Sequence, residues 1–373
     1  MTLFLLIVFG IYFLLLLALI VGWEISTKQR TLSNTETNYS ITVIVPFRNE
    51  AKYLPGIVAD LSAQNYLPHA FKVFFIDDHS EDNSIEVLTS CIKGKQNFAL
   101  ISLPEEWEGK KKAIDHGIKE AVSELIVTTD ADCKLPEGWL SSIDQAFQNA
   151  STKLVFGGVK ILSNDSAFSK LQSLEFSSLI GSGAATLGLG FPTMCNGANL
   201  AYRKSVYLEV DGFEGNFEIA SGDDEFLMRK IFKKYPEGIS FLNDRNSVVS
   251  TQPQSNLKDF VSQRLRWAGK WKYNQSLASK LLALFVLLFH TTLVVFVALA
   301  IAGKVDPVFV VVAISGKVFL EFIFLARVNA FLNQPIRPIY FLALQFIHPL
   351  YVIVIGFLSQ RGGYSWKGRS LNT

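Results

Sequence analysis

The feature that most constrains this chain is residues 2–21, a run without a single charged side chain and dominated by Leu, Ile and Phe. As an α-helix it is long enough to cross a hydrocarbon core of about 30 Å. A secretory signal would carry a basic start, a shorter apolar run and a small-residue cleavage site, and the sequence has none of these. Trp23 stands where an interfacial anchor belongs, and Lys28 and Arg30 mark the cytoplasmic side by the positive-inside rule. The expectation is a transmembrane helix over 1–23 and a polar linker over 24–40, with the following domain on the cytoplasmic face of an inner or plasma membrane.

Three more apolar segments, 281–302, 308–328 and 339–358, lie in a hydrophobic cluster over 276–360, ahead of a basic tail over 361–373. The middle segment carries Lys317 and Glu321, spaced to pair on one helical face. Charge counting sets up a conflict of parity. Lys270, Lys272 and Lys280 put the start of the first segment in the cytoplasm, and Arg327 and Arg337 bring the chain back. A third full crossing would then send Arg361, Lys367 and Arg369 outside, so either the last segment or the charged middle one is expected to be re-entrant or interfacial. The 35 Lys and Arg against 33 Asp and Glu, with no basic run, argue against nucleic acid as a partner. Cys91, Cys133 and Cys195 are too scattered for a disulfide framework or a metal-ligand spacing and read as small buried residues.

Between 41 and 275 short β-branched runs alternate with helical periodicity, the pattern of an open, mostly parallel α/β sheet. Candidate strands are 41–46, 72–76, 98–102, 124–129 and 154–159. Ligands bind such sheets past the carboxyl ends of the strands. There the sequence puts Arg48–Asn49–Glu50, Asp77–Asp78 and Asp130–Ala131–Asp132, converging on one acidic crevice. Alternate residues of an extended segment point the same way, so Asp130 and Asp132 can hold a divalent ion whose remaining ligands are phosphate oxygens and water. The same acids also suit turns and helix N-caps, with Asp77 or Asp78 capping a helix that begins near Glu81.

On its motifs the chain resembles the inverting family 2 glycosyltransferases of the GT-A fold. The matching residues are Val43–Ile44–Val45–Pro46–Phe47–Arg48–Asn49–Glu50, Asp77–Asp78, Gly109–Lys110 with Ala113 and Gly117, Asp130–Ala131–Asp132, Asn196–Gly197–Ala198–Asn199, Gly222–Asp223–Asp224–Glu225 and Gln263–Arg264–Leu265–Arg266–Trp267. The resemblance implies a Rossmann-like nucleotide-sugar-binding domain between N- and C-terminal transmembrane helices. It implies that Pro46, Glu50, Asp77, Asp78, Lys110 and Asp130 line a nucleotide-sugar pocket, with Asp78 accepting from uracil, and that Asp130 and Asp132 hold Mg2+ or Mn2+. Asp224 would be the catalytic base with Asp223 beside it, their crowding with Glu225 raising a carboxylate's pKa. Gln263, Arg264, Arg266 and Trp267 would serve the diphosphate and the acceptor. On a helix Gln263, Arg266 and Trp267 share a face that can point into the crevice, although an Arg–Trp helix at the membrane interface has the same pattern.

Two departures stand out: Asp115 where relatives often carry Asn, and Lys111 and Lys112 as additional cations near the expected phosphates. Residues 177–194 are uncharged and Gly-rich, fitting either a packed helix and turn or an acceptor-side surface touching lipid. Trp366–Lys367–Gly368–Arg369 is similar to the tail of ceramide- and carotenoid-acid-type glucosyltransferases and equally reads as an interface anchor. The expected activity is transfer from a UDP-sugar to a membrane lipid. The alternatives are a processive synthase extending and extruding a glycan, and a non-catalytic sugar-nucleotide sensor.

Overall fold

The computed structural model describes residues 2–28, 39–219, 221–273, 276–359, 364–366 and 369–371. Its strands are β1 (Ile41–Phe47), β2 (Phe71–Asp77), β3 (Phe98–Ser102), β4 (Leu125–Thr128), β5 (Leu154–Gly157), β6 (Val159–Ile161), β7 (Leu200–Arg203), β8 (Ile239–Leu242), β9 (Val249–Thr251), β10 (Tyr364–Trp366) and β11 (Arg369–Leu371). Its α-helices are α1 (Thr2–Ser26), α2 (Leu54–Ser62), α3 (Ser84–Ile92), α4 (Lys110–Glu120), α5 (Trp139–Phe147), α6 (Ala167–Gly188), α7 (Lys204–Glu209), α8 (Asp223–Lys234), α9 (Leu257–Gly269), α10 (Leu277–Ile301), α11 (Pro307–Phe331) and α12 (Pro338–Leu358). They form two compact units, one built from 26–162 with 194–252 and the other from 1–25, 163–193 and 253–373. The domain expected over 41–275 is therefore interrupted, because α6 and α9 belong with the apolar helices.

In the first unit a seven-stranded sheet runs in the order β3-β2-β1-β4-β7-β5-β8. Every residue of β1 is buried, as a central strand covered on both faces requires. The sheet is mostly parallel, as expected, and β7 is the exception, antiparallel to both β4 and β5. The chain leaves this sheet after β5, runs through β6 and then α6 in the other unit, and re-enters at β7 running the opposite way. No βαβ crossover spans that step to enforce parallel pairing. The strand expected over 154–159 is broken at Gly158: β5 stays in the main sheet and β6 pairs with β9 in a second one.

Pro46 shows how the sheet opens. The carbonyl of Ile44 accepts from the Thr129 amide on the β4 side, so two residues on the nitrogen of Pro46 faces the same side, past the last β1–β4 pair at Ile44 and Thr128. A residue without an N–H is tolerated there because no ladder bond is lost. The carboxyl ends of β1 and β4 thus part at Pro46.

The second unit holds four helices long and apolar enough to cross a membrane, α1 from Leu3 and all of α10, α11 and α12. Tyr12 of α1 stacks on Phe289 of α10 with ring centroids 3.5 Å apart, and its hydroxyl donates to Glu321 of α11 at 2.6 Å. Glu321 pairs with Lys317 at 2.9 Å as the spacing predicts, and Lys317 also donates to Gln345 of α12 at 2.6 Å. Polar groups buried among apolar helices stay affordable only when mutually satisfied, and this seam ties three helices together. Trp23 is not an anchor in an interface: it is buried edge-on against Phe331. Arg30 and most of the linker lie outside the described residues.

Residues 177–188 are the second half of α6, the packed-helix alternative for that stretch. A Cβ on Gly181 would sit 2.5 Å from Val328, so the glycine lets α6 close on α11. Of the tail motif, Trp366 and Arg369 are paired in the hairpin formed by β10 and β11, while Lys367 and Gly368 fall outside the described residues.

Candidate active site

The loops after β1 and β2 interlock. Asn49 (φ 55°) and His79 (φ 57°) take left-handed backbone conformations that Asn and His tolerate better than branched residues do. The Asn49 amide donates to Ser80 Oγ at 3.0 Å and the Glu81 amide to Asn49 Oδ1 at 2.8 Å. Arg48 crosses beneath, donating to the Asp78 carbonyl at 2.9 Å and pairing with Glu81. Asp77 and Asp78 then divide two tasks. Asp77 Oδ1 accepts from the Ser80 amide at 3.1 Å and closes the turn, while buried Asp78 accepts from the Gly109 amide at 3.1 Å, ahead of α4. The helix after them starts at Ser84, later than expected, and the Ser84 hydroxyl accepts from the Glu50 amide at 2.8 Å. Pro46, Glu50, Asp77 and Asp78 are thus brought to one end of the sheet.

Lys110, the first residue of α4, joins the two acidic groups. Its ammonium lies 2.8 Å from Asp130 Oδ1, just past β4, and 3.2 Å from Asp223 Oδ2, at the start of α8. Burial alone would push the Lys110 pKa down, but the charges of Asp130 and Asp223 outweigh it and raise the pKa. Asp223 answers in kind: burial raises its pKa, and Lys110 with Lys111 more than reverses this, holding it below the ordinary 3.8. At Asp223 the charges that set the pKa are thus the two lysines. Glu225 is spent on Arg229, one turn along α8.

Asp224 is held differently. Its Oδ2 accepts from the Gly197 amide at 3.0 Å, and its Oδ1 from the Glu225 amide at 2.7 Å. Gly197 is anchored in turn, since Thr128 Oγ1 at the end of β4 donates to its carbonyl at 2.9 Å. A Cβ on Gly197 would fall 2.9 Å from Asp223 Oδ2 and 3.3 Å from Lys110 Nζ, so only glycine lets the 196–199 loop come this close to the acids. Three acids at a helix start suit its positive end, which is the structural reading of this doublet. Asn199, in the same motif, is wholly structural: it is buried, donates to the carbonyls of Gly158 and Ser247, and accepts from Trp139 Nε1.

Asp130, Asp132 and Cys133 present one donor atom each within 4.8 Å of one another. Sequence spacing gave no reason to count Cys133. Its thiol is buried, and burial with the charges of Asp132 and Asp130 pushes its pKa well above 9.0, so it stays protonated. The effective donors are two carboxylates, a hard oxygen set that fits Mg2+ or Mn2+ better than a thiophilic ion.

Other expected contacts fall elsewhere. Lys111 is buried and donates to three backbone carbonyls, and Lys112 lies over the rings of Trp107 and Phe217, so neither is arrayed for phosphates. Asp115 accepts from the Tyr207 hydroxyl at 2.8 Å and pairs with Lys119, fastening α4 to α7. Gln263, Arg264, Arg266 and Trp267 are on α9, in the unit of apolar helices. There Arg264 is buried against Glu175 of α6, both its Nε and its Nη2 reaching the carboxylate. Gln263 accepts from Arg264, Trp267 packs on its guanidinium and on Phe176, and Tyr351 of α12 completes the shell of Glu175. Of the four residues expected at the diphosphate and the acceptor, Arg264 is thus engaged by an internal carboxylate.

Residues 42–210 match the family described as glycosyl transferase family 2. The chain is 27% identical over 150 residues to the undecaprenyl-phosphate 4-deoxy-4-formamido-L-arabinose transferase of Yersinia enterocolitica, a match covering 40% of this chain and 45% of that protein. It is 29% identical over 143 residues to the protein of the same name from Pectobacterium atrosepticum, covering 38% and 43%. The chain therefore spans under half the length of these curated relatives. Among solved structures it is similar to a mannosyltransferase from Pyrobaculum calidifontis in complex with GDP-Man and Mn2+, with a TM-score of 0.53, 15% identity and 95% of each chain covered. That likeness is one of fold.

Proposed function

The chain carries a glycosyltransferase family 2 domain of the GT-A fold, and from that premise we propose a membrane-bound inverting transferase that moves a sugar from a UDP-sugar to a membrane lipid. The observation that carries the reading is the Lys110 ammonium held between Asp130 and Asp223, which joins the expected donor side to the acid doublet that contains the expected base. Asp130 and Asp132 would hold the divalent ion, which when bound neutralises charge on the departing diphosphate. Lys110, already cationic and positioned, adds a second positive group for the same charge.

Asp224 is the base in this reading. Its carboxylate takes the proton of the acceptor hydroxyl as that oxygen attacks the anomeric carbon. The amides of Gly197 and Glu225 fix its orientation, so it needs no rearrangement at the moment of proton transfer. Asp78, buried just past β2 and engaged by the Gly109 amide, is in this reading the acceptor for a base N–H. The names of the curated relatives, transferases acting on undecaprenyl phosphate, support a lipid acceptor.

The same reading keeps the catalytic domain cytoplasmic, and the packing of α12 supports a resolution of the parity conflict. Between His348, beside His290, and Gly356, against Leu287, α12 advances about 12 Å at 1.5 Å per residue, while its contact on α10 moves back by only about 4.5 Å. Pro349 lies within α12 next to the first of these contacts. Tyr351 meets Phe260 of α9, and β10 lies beside α9. In this reading α12 stops short of a full crossing and returns the tail to the side of α9. A C-terminal reporter active only in the cytoplasm tests this, and an external tail refutes it.

The test of function is incubation of the membrane-embedded protein with radiolabelled UDP-sugars and Mg2+, followed by lipid extraction. A single labelled lipid, lost with EDTA, is expected. Label in a high-mass polymer, or none in any product, overturns the assignment.

A further inference from the structure

Three lysines open α4 where a helix least favours cations, since its first turn already carries partial positive charge. Compensation comes from the segment that leads to the acid doublet. Lys110 holds Asp223 itself. Lys111 donates to the carbonyls of Asn216 at 2.7 Å, Ile219 at 2.6 Å and Ser221 at 3.0 Å, using all three ammonium hydrogens, and is only 4% exposed. Lys112 lies 4.6 Å above the Phe217 ring. Successive residues of one turn thus grip successive parts of a single loop.

That loop ends in Gly222, whose φ of 82° gives the sharp entry to α8 that an L side chain would resist. Asp223 and Asp224 follow at once. A segment bent through a left-handed glycine gains little rigidity from its own backbone, so its position depends on what grips its carbonyls. Lys111 fastens the loop at three points, the last of them two residues before Asp223. Burying an ammonium to bind carbonyls is costly. If the task were only to fill space, an apolar side chain of similar length would serve it more cheaply.

We infer that Lys111 is a positioning residue for the transfer reaction: by clamping the carbonyls of Asn216, Ile219 and Ser221 it fixes where the Asp223–Asp224 doublet sits against the acceptor hydroxyl. It touches no reacting atom. The inference rests on the proposed transferase reading.

The experiment compares Lys111→Met, Lys111→Arg and Lys112→Gln in the full membrane-embedded chain, with kcat counted per UDP- and Mn2+-binding site so that unfolded protein drops out. Lys111→Met is expected to lose kcat by roughly 30-fold, in the range typical for removing a supporting partner, with the KM for donor within about twofold of the parent. Lys111→Arg restores part of kcat, because a guanidinium reaches some of the carbonyls. Hydrogen exchange rises over 216–224 and not in the sheet. Lys112→Gln shows a smaller fall in the same direction. An unchanged kcat per site in Lys111→Met, or an equal collapse of kcat and donor affinity, overturns the inference. If Lys111→Met does not fold, an unchanged kcat in both Lys111→Arg and Lys112→Gln overturns it instead. A parent protein that transfers no sugar defeats the transferase reading itself, a different result from a parent that turns over and a Lys111 variant that does so equally well.

Discussion

Both units are organised around a buried or half-buried ion pair, and the two pairs differ in what remains available to a ligand. In the unit of apolar helices Arg264 is 3% exposed, bidentate on Glu175, sandwiched by Phe260 and Trp267, and its carboxylate partner is completed by Tyr351. In the sheet unit the Asp130 side chain is 38% exposed and Lys110 24% exposed, so the same kind of contact has open sides. A fully satisfied buried pair fixes helices to one another, and leaving either partner alone is expensive. A pair with unsatisfied sides can exchange its partners for a ligand's charges. Charge type alone does not separate a structural salt bridge from a reacting one, whereas residual hydrogen-bonding capacity does.

The sharpest way to break that contrast is to disable each pair's neighbourhood. Asp224→Asn keeps an acceptor for only one of the two amides and removes the base, so transfer should fall by about 10³-fold, within the range for general bases. Protection against unfolding by UDP and Mn2+ should persist; full turnover in this variant would show the base lies elsewhere. Arg264→Met should act on stability, not chemistry, lowering it by about 3 kcal/mol through the carboxylate left unpaired. The Glu175→Gln/Arg264→Met double variant should recover part of that loss in a denaturation series. If Arg264→Met instead keeps its melting temperature and loses kcat, the contrast between the units collapses.

Lys110→Met probes the open pair by pH. In the parent, Asp223 has its pKa held below the usual value, so the ion pair's contribution is present at neutral pH and fades only as pH falls through the depressed pKa. Without Lys110 the burial effect is opposed chiefly by Lys111 alone, and the Asp223 pKa rises. The acid limb of the rate profile should then move to higher pH, and an unmoved limb would mean that Asp223 need not be ionised. The smallest effect is expected from Asp115→Asn, which retains an acceptor for Tyr207 and loses the pairing with largely exposed Lys119. Thermal unfolding should register at most about 1 kcal/mol, and transfer should not change.

Much of the site was legible because it sits where chain direction dictates. Asp77, Asp78 and Asp130 each follow a strand, and strand ends in an α/β sheet face the ligand crevice whatever the side-chain details. The pairing of Lys317 with Glu321 was legible for a similar reason, since helical spacing makes them neighbours. What the sequence could not reveal were contacts set by distant segments: Thr128 on the Gly197 carbonyl, Lys111 on the carbonyls of Asn216, Ile219 and Ser221, and Glu175 capturing Arg264 across 89 positions. Backbone carbonyls carry no residue signature, so a lysine bound to them resembles a lysine bound to phosphate. The same blindness hid the reversal of β7, which depends on the excursion through α6 and not on any residue of the strand.

By itself, then, the sequence determined the apolar lengths that make four helices, the strand ends that gather the acids, and the family of the sheet domain. These rest on hydrophobic periodicity and local geometry, which act over one element at a time. Tertiary structure alone decided which charges stay open to a ligand and which are consumed inside the protein. That outcome depends on burial and on partners far away in sequence, and electrostatic energy is fixed by those two quantities.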